Sequence, residues 1–460
     1  MDEQHIEPVH GCSFVHTNYL RGKGMKNIIY RVSLFLALIV LAGLLFPAHA
    51  AFAKSDHHKP ITQELINLVE NNPEIGNMLK ASIAEAKKLN PDPKTNPAQS
   101  LSEYYDYIDS ASELIPQGVL ENPSNLVRDQ ILQSICYFYF LIDQPLPELE
   151  NKGQFKNVLQ YYQPFSSWLR DFADAWGAFL DTEESWNKKT YQEFYNNPRF
   201  GLQKGWYEPS SNWKTFNQFF SKHLKSPDVR PIASPNSPAV VVSPADSVPQ
   251  GVWAIDENSN IQVDSGLKVK LATYYNIKDL LSADSQFKKA FANGVLTHTF
   301  LNVNDYHRYH FAVGGTILES KRIVQNFALE VAWSPEHGRY VPIDSTGWQF
   351  SQTRGYVIMD TGKYGLVALI PMGMAQVSSV NFEDEVKVGA TLEKGAMFGN
   401  FLFGGSDFIM LFQQKAGFEI TAPAEHKVAA KPDSDHGHKI IAYKHLLMGQ
   451  SYGVMKGQKK

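Results

Sequence analysis

The chain is poor in cysteine and has no block of basic residues. Only two cysteines occur in 460 residues. Cys12 precedes an apolar N-terminal run, so a chain trimmed after that run keeps Cys136 alone, and no internal disulfide can form. Cys136 sits in "ILQSICYFYFLI" and reads as inert core. Net charge is −4. Without clustered Lys and Arg, nucleic acid is excluded as the main partner, because phosphate binding needs a basic surface. There is no tandem repeat, so no solenoid. No basic amphipathic helix marks a membrane-lying surface.

What is present is ordinary globular composition, 43% hydrophobic and 20% charged, with aromatics at 12%. Such a length supports two domains and at least one large core. From Met25 the chain has a basic start, an apolar run over 32–46 and two small-x-small sites, Ala48-His49-Ala50 and Ala51-Phe52-Ala53. This is the layout of a secretory signal peptide over 25–53. The run is short of the roughly 20 residues of a spanning helix, although an uncleaved anchor is the alternative reading. Residues 1–24 read as a short extension or a mis-assigned start. The expected location is therefore the cell envelope or the exterior.

A polar joint, "KSDHHKP", leads into helical patterning. Residues 61–89 read as one helix, and further helices are predicted over 126–142 and 165–180. In the last, Phe165, Trp168, Leu169, Phe172, Trp176 and Phe179 recur at three-four spacing. This stripe reads as core, or less simply as a partner surface. Residues 54–210 are thus predicted to be an all-helical accessory domain, with no ionisable cluster. Beyond it, one short amphipathic helix gives way to short β-rich runs punctuated by Gly, Pro, Asn and Asp, which predicts a mostly antiparallel β domain over 211–460. The fold class is α+β.

Three places in the second half could do chemistry. "SPADS" puts Asp246 just after a buried-looking strand; alone it is a turn aspartate. "LNVNDYHRYH" carries His307 and His310, which share a face on a helix and point oppositely on a strand. Without a matching third ligand they make no zinc site. The third is Gly404-Gly405-Ser406, inside the apolar run "FLFGGSDFIMLF". Gly-Gly is costly within a strand. Asp, His and Ser together are the components of an orienter-base-nucleophile relay, which spacing alone cannot establish. The "EHKVAAKPDSDHGHK" tail and His57-His58 read as solvated loops.

"WKTFNQFFSKHLKSPDVRPI", "SPAD", "FLNVNDYHRYH" and "GAMFGNFLFGGSD" resemble, in matching order, motifs of the phosphatidylserine decarboxylase family over residues 212–460. The helical N-terminal region resembles the extra domain of a subgroup that includes fungal pyruvoyl-type tryptophan decarboxylases. The resemblance implies that Ser406 attacks the carbonyl of Gly405 and cuts the chain between 405 and 406. His310 would take the serine proton, and Asp246 would orient and charge-stabilise His310. The ester formed would eliminate and hydrolyse to a pyruvoyl group, with loss of ammonia. Large and small chains of one precursor would stay associated. The pyruvoyl group would condense with a substrate amine and accept electrons as CO₂ leaves. His307 is the candidate to return a proton, although the roles of His307 and His310 could be exchanged. The motifs depart from the family at three points. Ser247 stands where Gly is usual, Asp407 where Thr or Ser is usual, and no Pro follows the second His. A carboxylate at 407 beside the reactive group would repel an anionic substrate or attract a protonated amine.

The implied reaction is conversion of phosphatidylserine to phosphatidylethanolamine, with a membrane surface as the place of action. The alternatives are decarboxylation of a small free amino acid, an aromatic one included, and an uncleaved non-enzymatic binding module.

Overall fold

The computed structural model describes residues 57–116, 128–152, 156–261, 276–326, 328–343, 348–374, 380–428 and 440–457. The N-terminal extension, the signal segment and Cys12 lie outside the described residues, as does most of the His-containing tail. Residues 54–460 form one compact unit. Among the described residues no helix is long and apolar enough to cross a membrane.

Helices come first in the chain. The expected 61–89 helix is two, α1 (Pro60–Asn71) and α2 (Pro73–Leu89). Pro73 accounts for the break, because it has no N–H to donate and pushes Asn72 out of helical geometry. Next is α3 (Leu101–Ala111), where Ser100 Oγ accepts the Glu103 N–H and donates to the Glu103 carboxylate at 2.9 Å. That reciprocal cap starts the helix firmly. Then follow α4 (Arg128–Phe140), α5 (Phe165–Leu180), α6 (Lys188–Asn196) and the short α7 (Phe216–Phe220). The α5 stripe is core: Phe165, Trp168, Leu169, Phe172 and Trp176 are all buried. Cys136 is buried in α4.

The helical region does contain an ionisable cluster, contrary to expectation. His58, Asp106 and Asp109 offer ligand-type atoms within 4.8 Å of one another. Asp109 accepts from the Lys59 backbone N–H at 2.9 Å and pairs with His58 at 2.7 Å. Its carboxylate therefore caps the start of α1, and His58 is part-buried rather than solvated. Sequence could not show this, because the partners lie about fifty residues apart.

The rest, apart from a one-turn helix at Ile277–Leu280 and short 3-10 turns, is β structure, nearly all antiparallel. A seven-stranded sheet has the order β11 (Thr391–Leu392), β5 (Gly315–Ile323), β8 (Arg354–Asp360), β9 (Leu366–Met374), β13 (Gly405–Phe412), β3 (Val295–Leu301), β2 (Val248–Ala254). A three-stranded sheet runs β10 (Val380–Phe382), β12 (Met397–Phe401), β4 (Arg308–His310), and another runs β1 (Val240–Val242), β17 (Ser451–Met455), β14 (Phe418–Ile420). Two hairpins complete the set, β6 (Glu330–Ser334) with β7 (Arg339–Ile343), and β15 (Ala424–Val428) with β16 (Ile440–Tyr443). β13 lies inside the large sheet and is covered on both faces. Phe408, Met410 and Phe412 enter one core cluster; Ile409 and Leu411 enter the other. Double burial explains why this strand reads as a continuous apolar run rather than an alternating one.

The helical region is bound to the β region through Tyr340 on β7. Its hydroxyl donates to Thr95 O at 2.7 Å and accepts from Asn90 Nδ2 at 2.9 Å. Its backbone exchanges two 2.7 Å hydrogen bonds with the Gln133 side chain. Its ring packs on Tyr137, Phe140 and Trp333. Tyr340→Ala is expected to lower stability by about 3–5 kcal/mol, and Tyr340→Phe by about 1 kcal/mol. Urea unfolding of both variants checks this; equal small losses would show that the ring packing carries little.

Candidate active site

The interrupted run at 401–412 is a crossing between sheets. β12 ends at Phe401 and β13 begins at Gly405, so the two glycines lie at the junction. Gly404 has φ 149°, a backbone state that side-chain-bearing residues rarely adopt. Phe403, just before it, is wedged against Trp176 of α5 and against Phe216 and Phe220 of α7, with ring centroids 5.1–5.5 Å away. Aromatic residues of the helical region thus fix the approach to Ser406.

Ser406 is fully buried, opposite Leu301 on β3 and Gly373 on β9. Among the described residues its hydroxyl has no hydrogen-bond partner. A buried hydroxyl without a partner costs free energy and calls for an explanation. Asp407 follows on the strand, and alternation turns its side chain to the opposite face. There its Oδ1 lies 2.9 Å from His298 Nε2. The expectation that this carboxylate would stand beside the reactive group is therefore corrected: it points away, towards His298.

The other two segments arrive at the same end of the sheet. β2 starts at Val248 opposite Phe300, one residue from the Leu301 that faces Ser406. The turn before β2 carries Asp246. The His310 backbone N–H donates to Pro244 O in that turn at 2.7 Å. Ser247, where glycine is usual, is accommodated because Thr299 Oγ1 donates to its hydroxyl at 2.8 Å. The His307–His310 segment runs beside the strand leading to the junction: Phe401 N donates to His307 O at 2.9 Å, and Arg308 faces Asn400.

The hydrogen bonds differ from a simple relay. Asp246 does not bond His310. Its carboxylate accepts Arg230 Nε at 3.0 Å, Arg230 Nη2 at 2.7 Å and Met448 N at 2.7 Å. A guanidinium fork matches a buried carboxylate better than one imidazole N–H does. Arg230 in turn lies 4.4 Å from the Trp206 ring centroid. Asp246 still acts on His310 through space, favouring its protonated form, but burial outweighs this and pulls the His310 pKa down to about 4. His310 Nδ1 lies 2.9 Å from Gly395 O, and a carbonyl only accepts, so Nδ1 carries the proton. Nε2 is then unprotonated and accepts from Tyr306 OH at 3.3 Å. This is the neutral form a general base requires.

His307 is arranged in the same way. Its Nδ1 donates to Asp305 O at 2.9 Å, Nε2 has no partner among the described residues, and its ring stacks on Phe220 at 3.9 Å. Burial, reinforced by the charge of Lys222, holds its pKa well below the usual imidazole value. Sequence reading missed Arg230, Lys222, Asp305, His445 and Tyr306. Asp305 and Tyr306 lie inside "NDYHRYH", and Arg230 inside "DVRPI", so the motifs contained them; His445 has no local signal. Asp305 pairs with His445 at 2.8 Å. Burial alone would lower the His445 pKa, but Asp305 overrides it and holds it above the ordinary value.

Comparison with known proteins bears on this constellation. The family model described as phosphatidylserine decarboxylase matches residues 216–432. A phosphatidylserine decarboxylase proenzyme of Alcanivorax borkumensis is 30% identical over 261 residues, 53% of this chain and 83% of that protein. The chain belongs to the phosphatidylserine decarboxylase family. It is accordingly a pyruvoyl-dependent carboxy-lyase. The proenzyme of Fusobacterium nucleatum is 28% identical over 64% of this chain and 90% of its own length. Decarboxylase iboD of Amanita muscaria is 25% identical over 55% of this chain and 78% of its own length. The residues present fit a pyruvoyl group at 406, since the unpartnered Ser406 hydroxyl directly follows two glycines.

Arg230→Met would leave the Asp246 carboxylate buried without its fork. The expected cost is about 3–5 kcal/mol, with part recovered in Arg230→Met/Asp246→Asn, because the loss comes from an uncompensated charge. Denaturant midpoints of the three proteins measure this; equal losses in the single and double variants would contradict it.

Proposed function

We propose that this chain is a self-processing decarboxylase that converts phosphatidylserine to phosphatidylethanolamine with release of CO₂, acting after export at a membrane surface of the cell envelope. The observation that carries the self-processing is the unpartnered Ser406 hydroxyl beside Gly404 and Gly405. Ser406 Oγ attacks the Gly405 carbonyl. A glycine there leaves no β-carbon to obstruct approach, and an intramolecular attack at reacting distance lowers the barrier by roughly 7–11 kcal/mol. His310 Nε2, unprotonated, exchanges its Tyr306 contact for the hydroxyl proton. Asp246, fixed by Arg230, stabilises the imidazolium through space. The products are a large chain ending at Gly405 and a small chain of residues 406–460.

A pyruvoyl group at the head of the small chain supplies a carbonyl that draws electrons from the bound amine as CO₂ departs. His307 belongs to this second half-reaction, in which a proton must be returned to carbon. The lipid substrate is supported by the names of the Alcanivorax and Fusobacterium relatives. A second reading, decarboxylation of a small free amino acid, draws on the Amanita relative, whose name specifies a decarboxylase without a lipid.

Purified protein given dioleoylphosphatidylserine vesicles should form phosphatidylethanolamine, while free serine, tyrosine and tryptophan should give no amine; turnover of a free amino acid alone would replace the lipid reading with the second. Ser406→Ala should run as one full-length band and turn over none of them. The pH dependence follows from His310. Its folded pKa is depressed, so the base form is present above about 4. The rate constant for precursor cleavage, followed after cell-free synthesis, should be flat between about pH 6 and 8 and should fall about tenfold per unit below about 4. A midpoint near the ordinary histidine value of about 6.5 would contradict the assignment.

A further inference from the structure

The helical region holds a polar group that its neighbours leave unmatched. Asp106 on α3 is 8% exposed. Among the described residues its carboxylate accepts no hydrogen bond and pairs with no cation; Ser110 Oγ donates only to its backbone carbonyl, at 3.2 Å. Lys59 pairs its ammonium with Glu113 instead. A carboxylate buried to this extent without a partner is costly to keep.

That carboxylate is aimed at two other ligand-type groups. One atom each of His58, Asp106 and Asp109 lie within 4.8 Å of one another. The two aspartates are three apart on α3 and so share a face of the helix. His58 comes from the segment entering α1, and its Nδ1 stands 2.7 Å from Asp109 Oδ2. Both of these residues are oriented from outside the cluster. Asp109 Oδ1 accepts the Lys59 backbone N–H at 2.9 Å. The Tyr105 ring meets the His58 imidazole edge-on, with centroids 6.0 Å apart. Outer groups that fix the direction of an imidazole and a carboxylate are what metal ligands require. Asp106 completes the set, and two carboxylates facing one imidazole favour a cation among them.

We propose that His58, Asp106 and Asp109 bind a zinc ion that ties the segment entering α1 to α3. The donor set selects the metal class. Calcium and magnesium take oxygen ligands and more of them, whereas an imidazole with carboxylates suits zinc and its neighbours in the first transition row. Three protein ligands leave one position of a tetrahedron for water. Zinc takes the place of the proton between His58 Nδ1 and Asp109 Oδ2, and the pair opens slightly to admit it. That proton passes to His58 Nε2 or to water. The ion also supplies the positive charge that Asp106 lacks. The site lies in the helical region and is independent of the reaction at Ser406.

The test is calorimetric titration of zinc chloride into the purified full chain after treatment with a chelator. The wild type should bind one zinc ion per chain, and zinc in about 100-fold excess over Kd should raise the thermal midpoint by a few degrees. Asp106→Asn and His58→Gln should each weaken binding by about 100-fold or more, since losing a ligand costs at least as much as losing an outer partner. Without zinc, Asp106→Asn should melt no lower than wild type, because it removes an unmatched buried charge; a clearly lower midpoint would show that Asp106 is already satisfied and would overturn the proposal. Calcium and magnesium should not displace zinc. Cobalt substituted for zinc should show the visible absorption of a tetrahedral site. His436→Ala/His438→Ala, in the C-terminal tail, should bind zinc as wild type does. No saturable binding, affinity unchanged in Asp106→Asn and His58→Gln, or binding lost only with the tail histidines would overturn the proposal.

Discussion

The structure depends on one constraint: β13 is a central strand that must hold its place whether or not the bond before Ser406 is intact. Its hydrogen bonds to β9 and β3 run from Gly405–Ser406 to Phe412. Both of its faces are covered by apolar clusters. Breaking the chain at 405–406 removes no rung of the ladder beyond its first residue. Asp407 is turned to the far face beside His298, directly behind the junction. A chain end made at residue 406 by the proposed cleavage would therefore stay where it forms.

Around that fixed point the polar groups are divided by burial. The two carboxylates each have a contact partner, Arg230 for Asp246 and His445 for Asp305. The two histidines are kept neutral by desolvation and oriented by backbone carbonyls. Such an arrangement suits proton acceptance at His310. The helical region contributes to the same centre, because Trp176 of α5 helps to lock Phe403. The family match begins at residue 216, so Trp176 lies outside the matched segment and yet touches the approach to Ser406.

The α+β class was legible in periodicity: the α5 stripe at three-four spacing became core, and the short β runs became strands. The break at Pro73 was legible in principle and was overrun by the hydrophobic pattern on either side. Ser406 was legible because glycines in an apolar strand are anomalous. The partners of Asp246 were not, since a carboxylate's choice between Arg230 and His310 depends on approach in space and on guanidinium geometry. The facing of Asp407 follows from period two once the strand start is known, and the glycines hid that start. The His58–Asp109 pair and His445 were invisible for the same reason: each is made by long-range packing, with no signal in neighbouring residues.

The central claim is that the peptide bond between Gly405 and Ser406 is broken by Ser406 itself, leaving a carbonyl at the head of β13. Intact mass spectrometry of the purified protein tests it most directly. The account predicts two chains that separate only on denaturation, the smaller comprising residues 406–460 and lighter by one ammonia than a chain headed by serine. A single uncut chain, or a small chain that keeps a serine amine, would contradict it.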